Sequence, residues 1–194
     1  MSATSVDTVV GGAEPTNLDK TLARARKLMA EAAGIDSHID TIQRVMMGED
    51  LGQRHDTGQV DLPRLREGEM HAPFFALWVP VFFQGGAEAV RRTLDLCDAM
   101  PSVLDKYKDQ IELATTAADI ERIVKAHKIS AFLTIEGGHT IDDDVRVPRM
   151  YYRLGIRSNR RGQESRARGS RTIFQELSVT ALRDFTDAPI VERY

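Results

Sequence analysis

The chain of 194 residues contains one cysteine and no long run of apolar residues. Its single cysteine, Cys97, cannot form an internal disulfide, and a zinc cluster built on several cysteines is excluded as well. No stretch is long and apolar enough to indicate a membrane span, and residues 1–15 lack the basic segment and apolar run of a secretory signal. We therefore expect a cytoplasmic location.

A strong excess of charge of either sign is also missing from the chain as a whole. The net charge is −3, and apolar residues make up 42% of the sequence. Such a balance is ordinary for a globular domain and gives no general attraction to nucleic acid, so no nucleic-acid partner is expected. The exception lies between Arg149 and Arg171, where eight arginines stand against a single acid, Glu164. Residues 159–172 are almost free of apolar side chains and predict a disordered basic linker, although a phosphate- or RNA-binding tail stays open.

The remaining sequence alternates between patterns typical of strands and of helices. Residues 1–16 are predicted to be disordered, and residues 173–194 are predicted to form a short C-terminal remnant. Strands are predicted at about 35–39, 74–83, 111–114, 129–135 and from 156 onward, and helices at 17–33, 62–68, 86–107, 116–127 and 148–154. This alternation predicts an α/β fold in which helices connect parallel strands.

Three expectations concern packing and connections in this fold. The apolar run at 74–83 predicts a strand buried on both faces, with Trp78 in the core and Pro80 near the strand end. The helix at 86–107 is expected to be kinked or split at Pro101 and to turn one apolar face inward, formed by Ala87, Val90, Leu94 and Cys97. Residues 48–61 predict a loop, and loops of this length are often functional.

Two of the predicted strands carry polar side chains suited to binding a metal ion. His38 and Asp40 are two residues apart, so they lie on the same face of a strand. Glu136 ends the strand predicted at 129–135, and Gly137 and Gly138 follow it. We predict that these three side chains meet, since one histidine and two carboxylates suit a divalent ion such as zinc with positions open for water. The alternative is that His38 and Asp40 bond to each other or cap a loop.

The other histidines carry weaker signals. His139 lies just beyond the two glycines and could contact a substrate, although capping of the following helix is the favoured interpretation. No role is predicted for His55, His71 or His127, and Cys97 is expected in the core.

Six stretches resemble, in unbroken order, the renal (membrane) dipeptidase family of zinc peptidases. They are Asp36-Ser37-His38-Ile39-Asp40, the segment from Asp61 to Gly68, the aromatic strand near Phe75, Ala89-Val90-Arg91-Arg92-Thr93-Leu94, Ile135-Glu136-Gly137-Gly138-His139-Thr140-Ile141-Asp142, and Tyr152-Arg153-Leu154-Gly155-Ile156-Arg157. The resemblance implies a (β/α)8 barrel of the TIM type that hydrolyses dipeptides with two zinc ions. By position, His38 and Asp40 match ligands of the first metal, and Glu136 matches the catalytic carboxylate that bridges both metals.

The sequence departs from this family beyond residue 158. The family has Thr-Leu-Thr-His where this chain has Ser158-Asn159-Arg160-Arg161, and it then supplies two more metal histidines, whereas no histidine follows His139 here. We therefore expect a partial barrel over residues 17–158 with about four or five strands, a shortened C-terminal part, one zinc ion or none, and impaired dipeptide hydrolysis. Unpaired strand edges would invite pairing with a second copy of the chain. The alternative is a non-catalytic half-barrel that binds at most one metal.

Overall fold

The computed structural model describes residues 15–83 and 86–160. The strands are β1 (Gly34–Ile39), β2 (Met70–Trp78), β3 (Ile111–Leu113), β4 (Ile129–Glu136) and β5 (Ile156–Arg160). The helices are α1 (Asn17–Glu31), α2 (Ile42–Met46), α3 (Leu62–Glu67), α4 (Gly86–Lys106), α5 (Ala117–Lys125) and α6 (Arg146–Arg153). The predictions for residues 1–14 and 161–194, which include most of the basic linker and the C-terminal remnant, lie outside the described residues.

All observed strand pairings are parallel, as the alternation of strands and helices predicts. β1 pairs with β2, β2 pairs with β4, and β4 pairs with β5, so these four strands lie in chain order. The short β3 is the exception, because it pairs only with the first three residues of β4. Within residues 15–83 and 86–160, no helix has the length and apolar character needed to cross a membrane.

The most deeply buried strand, β4, separates two apolar clusters. Seven of its eight residues are buried. Ile129, Ala131, Leu133 and Ile135 belong to the large cluster, which also holds buried residues of α4, whereas Phe132 belongs to a small cluster with Ile123 of α5. Because alternate residues of a strand point to opposite faces, the two clusters lie on opposite sides of the sheet. Glu136, four residues after Phe132, is on the side of the small cluster and at the carboxyl end of the strand.

The aromatic strand β2 ends earlier than its composition predicts. It begins at Met70 and stops at Trp78, and Val81–Phe83 form a 3₁₀ turn rather than the end of a strand. Pro80 explains the difference, because proline has no N–H to donate to a strand pairing and restricts the residue before it. Trp78 is 37% exposed, so the expectation of a core residue at this position is wrong.

The buried face of α4 also differs from the prediction. Its buried residues are Ala89, Thr93, Leu96, Cys97, Met100 and Val103. Cys97 is buried as expected, but Ala87 is exposed and Leu94 is 40% exposed. The helix runs through Pro101 without being split. Part of the predicted apolar face therefore points toward solvent. Alanines and leucines occur on both sides of this helix, so their spacing does not single out the buried face.

Both ends of the described chain carry small corrections. The sequence predicts Asn17 as the N-cap of α1, but Thr16 caps the helix in the structure and forms a capping box with Asp19. The sequence also predicts one apolar stripe along α1, formed by Leu18, Leu22, Ala25 and Met29. However, α1 has no buried residue, and Leu18 is 66% exposed. At the other end β5 continues through Arg160, two residues into the predicted linker.

Candidate metal site

The structure brings the side chains of His38, Asp40 and Glu136 together at the carboxyl ends of β1 and β4. The His38 Nε2 atom lies 3.0 Å from Glu136 Oε2 and 3.6 Å from Asp40 Oδ1. One ligand atom from each of the three residues lies within 4.8 Å of the other two. The predicted meeting of the three side chains is confirmed, and their role as metal ligands stays a prediction.

An irregularity in the strand pairing directs His38 toward this site. Asp36 pairs with Pro73 and Ile39 with Phe75, so β1 contains one more residue than β2 over this stretch. Such a bulge changes the direction of a side chain and is common beside functional sites. The Asp36 carboxylate accepts a hydrogen bond of 3.0 Å from the backbone N–H of His38, which satisfies a donor that the irregular pairing leaves free.

Glu136 is positioned by the regular pairing of β4 with β2. Its Cα atom is in register with that of Trp78, and the N–H of Val79 donates to the Glu136 carbonyl at 3.4 Å. Gly137 then adopts a φ of 112°, which side chains rarely tolerate. A Cβ atom at this position would also lie 2.6 Å from Cε1 of His139. Glycine therefore allows the chain to turn directly behind the carboxylate.

The three candidate ligands differ in their access to solvent. The side chains of His38 and Glu136 are 20% and 19% exposed, whereas that of Asp40 is 58% exposed. Partial burial weakens solvation of the Glu136 carboxylate, and the negative charges of Glu136 and Asp40 repel each other. A histidine proton or a bound cation between them relieves this repulsion.

These residues line an open cleft of about 630 Å³. Its other walls include Asp36, Thr41, Gln43, Arg44, Gln59, Val60 and Trp78. The composition of the sequence does not mark Gln43, Arg44 or Gln59 as site residues, since single polar residues after a strand or in a loop are common. Trp78 could have been found only by recognising that Pro80 ends β2 and so leaves the preceding residues at the rim.

The loop at 48–61 forms one side of the cleft and is held by polar contacts. The Asp50 carboxylate accepts hydrogen bonds from Lys106 Nζ at 2.8 Å and from the Tyr107 hydroxyl at 2.5 Å, and these contacts lower the pKa of Asp50 below its usual value. On the other side Arg44 binds Glu49 at 2.7 Å and the Thr57 carbonyl at 3.1 Å. The loop is therefore tied both to α2 and to the end of α4.

His139 does not cap the following helix as the favoured interpretation expected. It lies in the 3₁₀ turn Gly138–Ile141, and both of its ring nitrogens are buried without a hydrogen-bond partner among the described residues. Its ring packs against Gly137 instead, where it supports the turn behind Glu136. It is not one of the residues that line the cleft.

The donor set fits a divalent metal ion. One imidazole nitrogen and two carboxylate oxygens are ligands that zinc accepts, and three protein ligands leave a position for water or substrate. His38 presents Nε2 to both carboxylates, while its Nδ1 atom is buried with no partner in the described part of the chain. The ring thus offers one nitrogen in the correct direction for a shared ion.

A parallel α/β fold with acidic and histidine side chains at the carboxyl ends of its strands defines a metallohydrolase-type architecture. Residues 22–159 match the membrane dipeptidase family (peptidase family M19), and the chain belongs to this family. It is 30% identical over 154 residues to dipeptidase ataJ of Aspergillus terreus, covering 73% of this chain and 38% of that protein. It is also 30% identical over 140 residues to dipeptidase 3 of Mus musculus, covering 69% of this chain and 27% of that protein.

Solved structures show the same fold. A metallopeptidase from Rhodobacter sphaeroides, solved with a phosphinate mimic of the dipeptide L-Ala-D-Ala, superposes with a TM-score of 0.58 and 20% identity, covering 65% of this chain and 44% of that one. The fold is therefore an α/β fold of the TIM-barrel type, present as a partial barrel. The chain spans 38% of the length of its relative from Aspergillus terreus, which agrees with a partial barrel of five strands.

Proposed function

We propose that this chain binds zinc through His38, Asp40 and Glu136 and acts in the hydrolysis of dipeptides. The observation that carries the proposal is the convergence of these three side chains within 4.8 Å at the carboxyl edge of the sheet. Membership of the membrane dipeptidase family supports the choice of reaction. The phosphinate dipeptide mimic bound by the metallopeptidase from Rhodobacter sphaeroides supports the choice of substrate.

Each residue of the cluster has a defined part in this proposal. His38 on β1 and Asp40 directly after this strand would hold the ion together with Glu136 at the end of β4. A divalent ion held there would supply an activated water and would polarise the peptide carbonyl. Glu136 is the proposed catalytic residue, because its position matches the bridging carboxylate of the family and its Oε2 atom lies 3.0 Å from His38 Nε2.

The cleft offers further contacts to a dipeptide. Asp36 gives the cleft wall a negative charge that favours the protonated amino group of a substrate. Trp78 and Val60 contribute apolar surface on which a side chain can pack. The Arg44 guanidinium forms an ion pair with Glu49 of the loop at 48–61. Its positive charge is therefore largely compensated before a substrate binds.

A second candidate function is a non-catalytic protein that keeps the partial barrel and binds one metal ion. It is favoured by the metal-site geometry, since the part of the chain that the structure describes contains a single group of three such ligands. It is also favoured by the sequence, which has no histidine after His139. In this case the cleft would bind zinc but would not accelerate hydrolysis.

A dipeptidase assay separates the two functions. The zinc-loaded protein is tested with L-Ala-L-Ala and L-Ala-D-Ala, alongside Glu136→Gln and the control variant Glu121→Gln, whose carboxylate is exposed on α5. We expect weak but measurable hydrolysis by the wild type and the control, and a loss of about a hundredfold or more in Glu136→Gln, because the metal-supported chemistry depends on that carboxylate. Zinc binding without turnover in the wild type would support the non-catalytic function instead.

A further inference from the structure

We propose that Arg92 and Gln43 are positioning residues that set the distance between the two sides of the candidate metal site. This inference rests on the proposed metal-binding function. Arg92 lies on α4 in the stretch Ala89-Val90-Arg91-Arg92-Thr93-Leu94, and Gln43 lies in the first turn of α2. Neither residue is a candidate ligand, and the proposed metal chemistry gives no role to Arg92.

Gln43 connects the backbones that carry the ligands on either side of the site. Its backbone N–H donates to the carbonyl of Asp40 at 3.0 Å. Its side-chain Nε2 donates to the carbonyl of Trp78 at 2.7 Å. Trp78 is in register with Glu136 on the neighbouring strand. One residue therefore links the end of β1, which supplies His38 and Asp40, to the strand that aligns Glu136.

Arg92 fixes the orientation of the Gln43 side chain. Its Nη2 atom donates to Gln43 Oε1 at 3.1 Å, and its Nη1 atom contacts the sulfur of Met46 at 2.9 Å. Because the arginine requires an acceptor and the Trp78 carbonyl requires a donor, only one orientation of the Gln43 amide satisfies both partners. The guanidinium therefore determines which amide atom faces β2.

The environment of Arg92 indicates that this contact is specific. In the described part of the chain, its Nε atom is buried without a hydrogen-bond partner. The side-chain partners of its guanidinium there are the Gln43 oxygen and the Met46 sulfur rather than a carboxylate. A partly buried guanidinium without an acidic partner is costly, so a role limited to solubility or surface charge does not account for it. Its neighbour Arg91 is exposed and provides a matched control on the same helix.

The test combines conservative variants with two measurements. Arg92→Lys keeps the charge but cannot reproduce the directed guanidinium contacts. Gln43→Glu keeps an acceptor for Arg92 but replaces the donor to the Trp78 carbonyl by a second acceptor. Zinc affinity is measured by calorimetry, and Trp78, the sole tryptophan of the chain, reports its own surroundings by fluorescence in the metal-free protein. Thermal unfolding of each variant identifies any general loss of structure.

We expect Arg92→Lys and Gln43→Glu each to weaken zinc binding about tenfold, as substitutions behind a metal ligand commonly do, and the double variant to lose no more than either one. Both single variants should also shift the Trp78 emission, whereas Arg91→Lys should leave affinity and emission unchanged. Wild-type affinity and wild-type emission in both variants would overturn the inference. If the wild type itself binds no zinc, the proposed function fails. The positioning role is then tested by fluorescence alone, and an unchanged Trp78 emission in Gln43→Glu would refute it.

Discussion

At the scale of single residues, the candidate site depends on His38, which contacts both carboxylates. The placement of the His38 and Asp40 side chains on one face could be predicted, because the alternation of side chains along a strand is local and needs no knowledge of the fold. The meeting with Glu136 could be predicted too, since parallel strands place their carboxyl ends at one edge. The contribution of Gln43 could not be predicted, because its two side-chain hydrogen bonds reach residues that are 35 and 49 positions away in the chain.

The turn that follows Glu136 is supported by a buried tyrosine. The Tyr151 hydroxyl donates to the Thr140 carbonyl at 2.8 Å, and burial raises the pKa of Tyr151 to about 12. A tyrosine of an unfolded chain loses its proton near pH 10. The folded state therefore binds this proton more tightly, and the resulting stability is fully present below about pH 10 and lost as the pH rises through about 12.

We predict that Tyr151→Phe lowers the free energy of unfolding by about 1 kcal/mol at neutral pH, because the Thr140 carbonyl loses its hydrogen-bond donor. The variant should also lack the part of the alkaline destabilisation that comes from this hydroxyl. Urea unfolding at about pH 8 and about pH 11 measures both effects. If the variant and the wild type lost the same amount of stability on going from about pH 8 to about pH 11, the assigned role of the Tyr151 hydroxyl would be contradicted.

At the scale of secondary-structure elements, α3 anchors the loop at 48–61 to the sheet. Asp61 caps this helix by accepting a hydrogen bond of 2.8 Å from the N–H of Arg64, and its carboxylate also binds the Arg64 guanidinium. The Asp61 side chain is fully buried, and Arg64 in turn donates to the His55 carbonyl at 2.8 Å. The cap therefore holds the loop that supplies Gln59 and Val60 to the cleft.

We predict that Asp61→Ala destabilises the protein by about 2 to 3 kcal/mol, since it removes a helix cap and leaves a partly buried arginine unpaired. Thr116→Ala is the matched control, because Thr116 caps α5 in the same way but is exposed. That variant should cost about 1 kcal/mol. Chemical denaturation of both proteins checks the difference, and similar losses would show that the buried arginine contact adds nothing beyond the cap.

The elements also show where sequence patterns succeed and fail. Both ends of α3 could be predicted, because Pro63 in the first turn and Gly68 at the end are local signals. β2 ends before the predicted position, because Pro80 stops the strand pairing although aromatic residues continue to Phe83. The buried face of α4 was misplaced because tertiary packing selected Leu96 and Met100 rather than Leu94.

At the scale of the whole molecule, four strands in chain order form one side of a barrel and present the candidate site at their carboxyl edge. All three candidate ligands come from this side, so residues 38–136 hold the whole of the proposed metal site. The described residues contain one such group, and the sequence lacks histidines after His139. These two facts together predict a single tightly bound ion rather than a pair.

The most direct test of this account is the metal content of the purified chain after loading with zinc and removal of the excess. We predict about one equivalent of zinc per chain, because three protein ligands can hold one ion with water in the open position. His38→Ala should lose this ion, whereas His127→Ala, which replaces an exposed histidine away from the cleft, should retain it. Two equivalents in the wild type, or full retention of zinc in His38→Ala, would contradict the assignment of His38, Asp40 and Glu136 as the metal site.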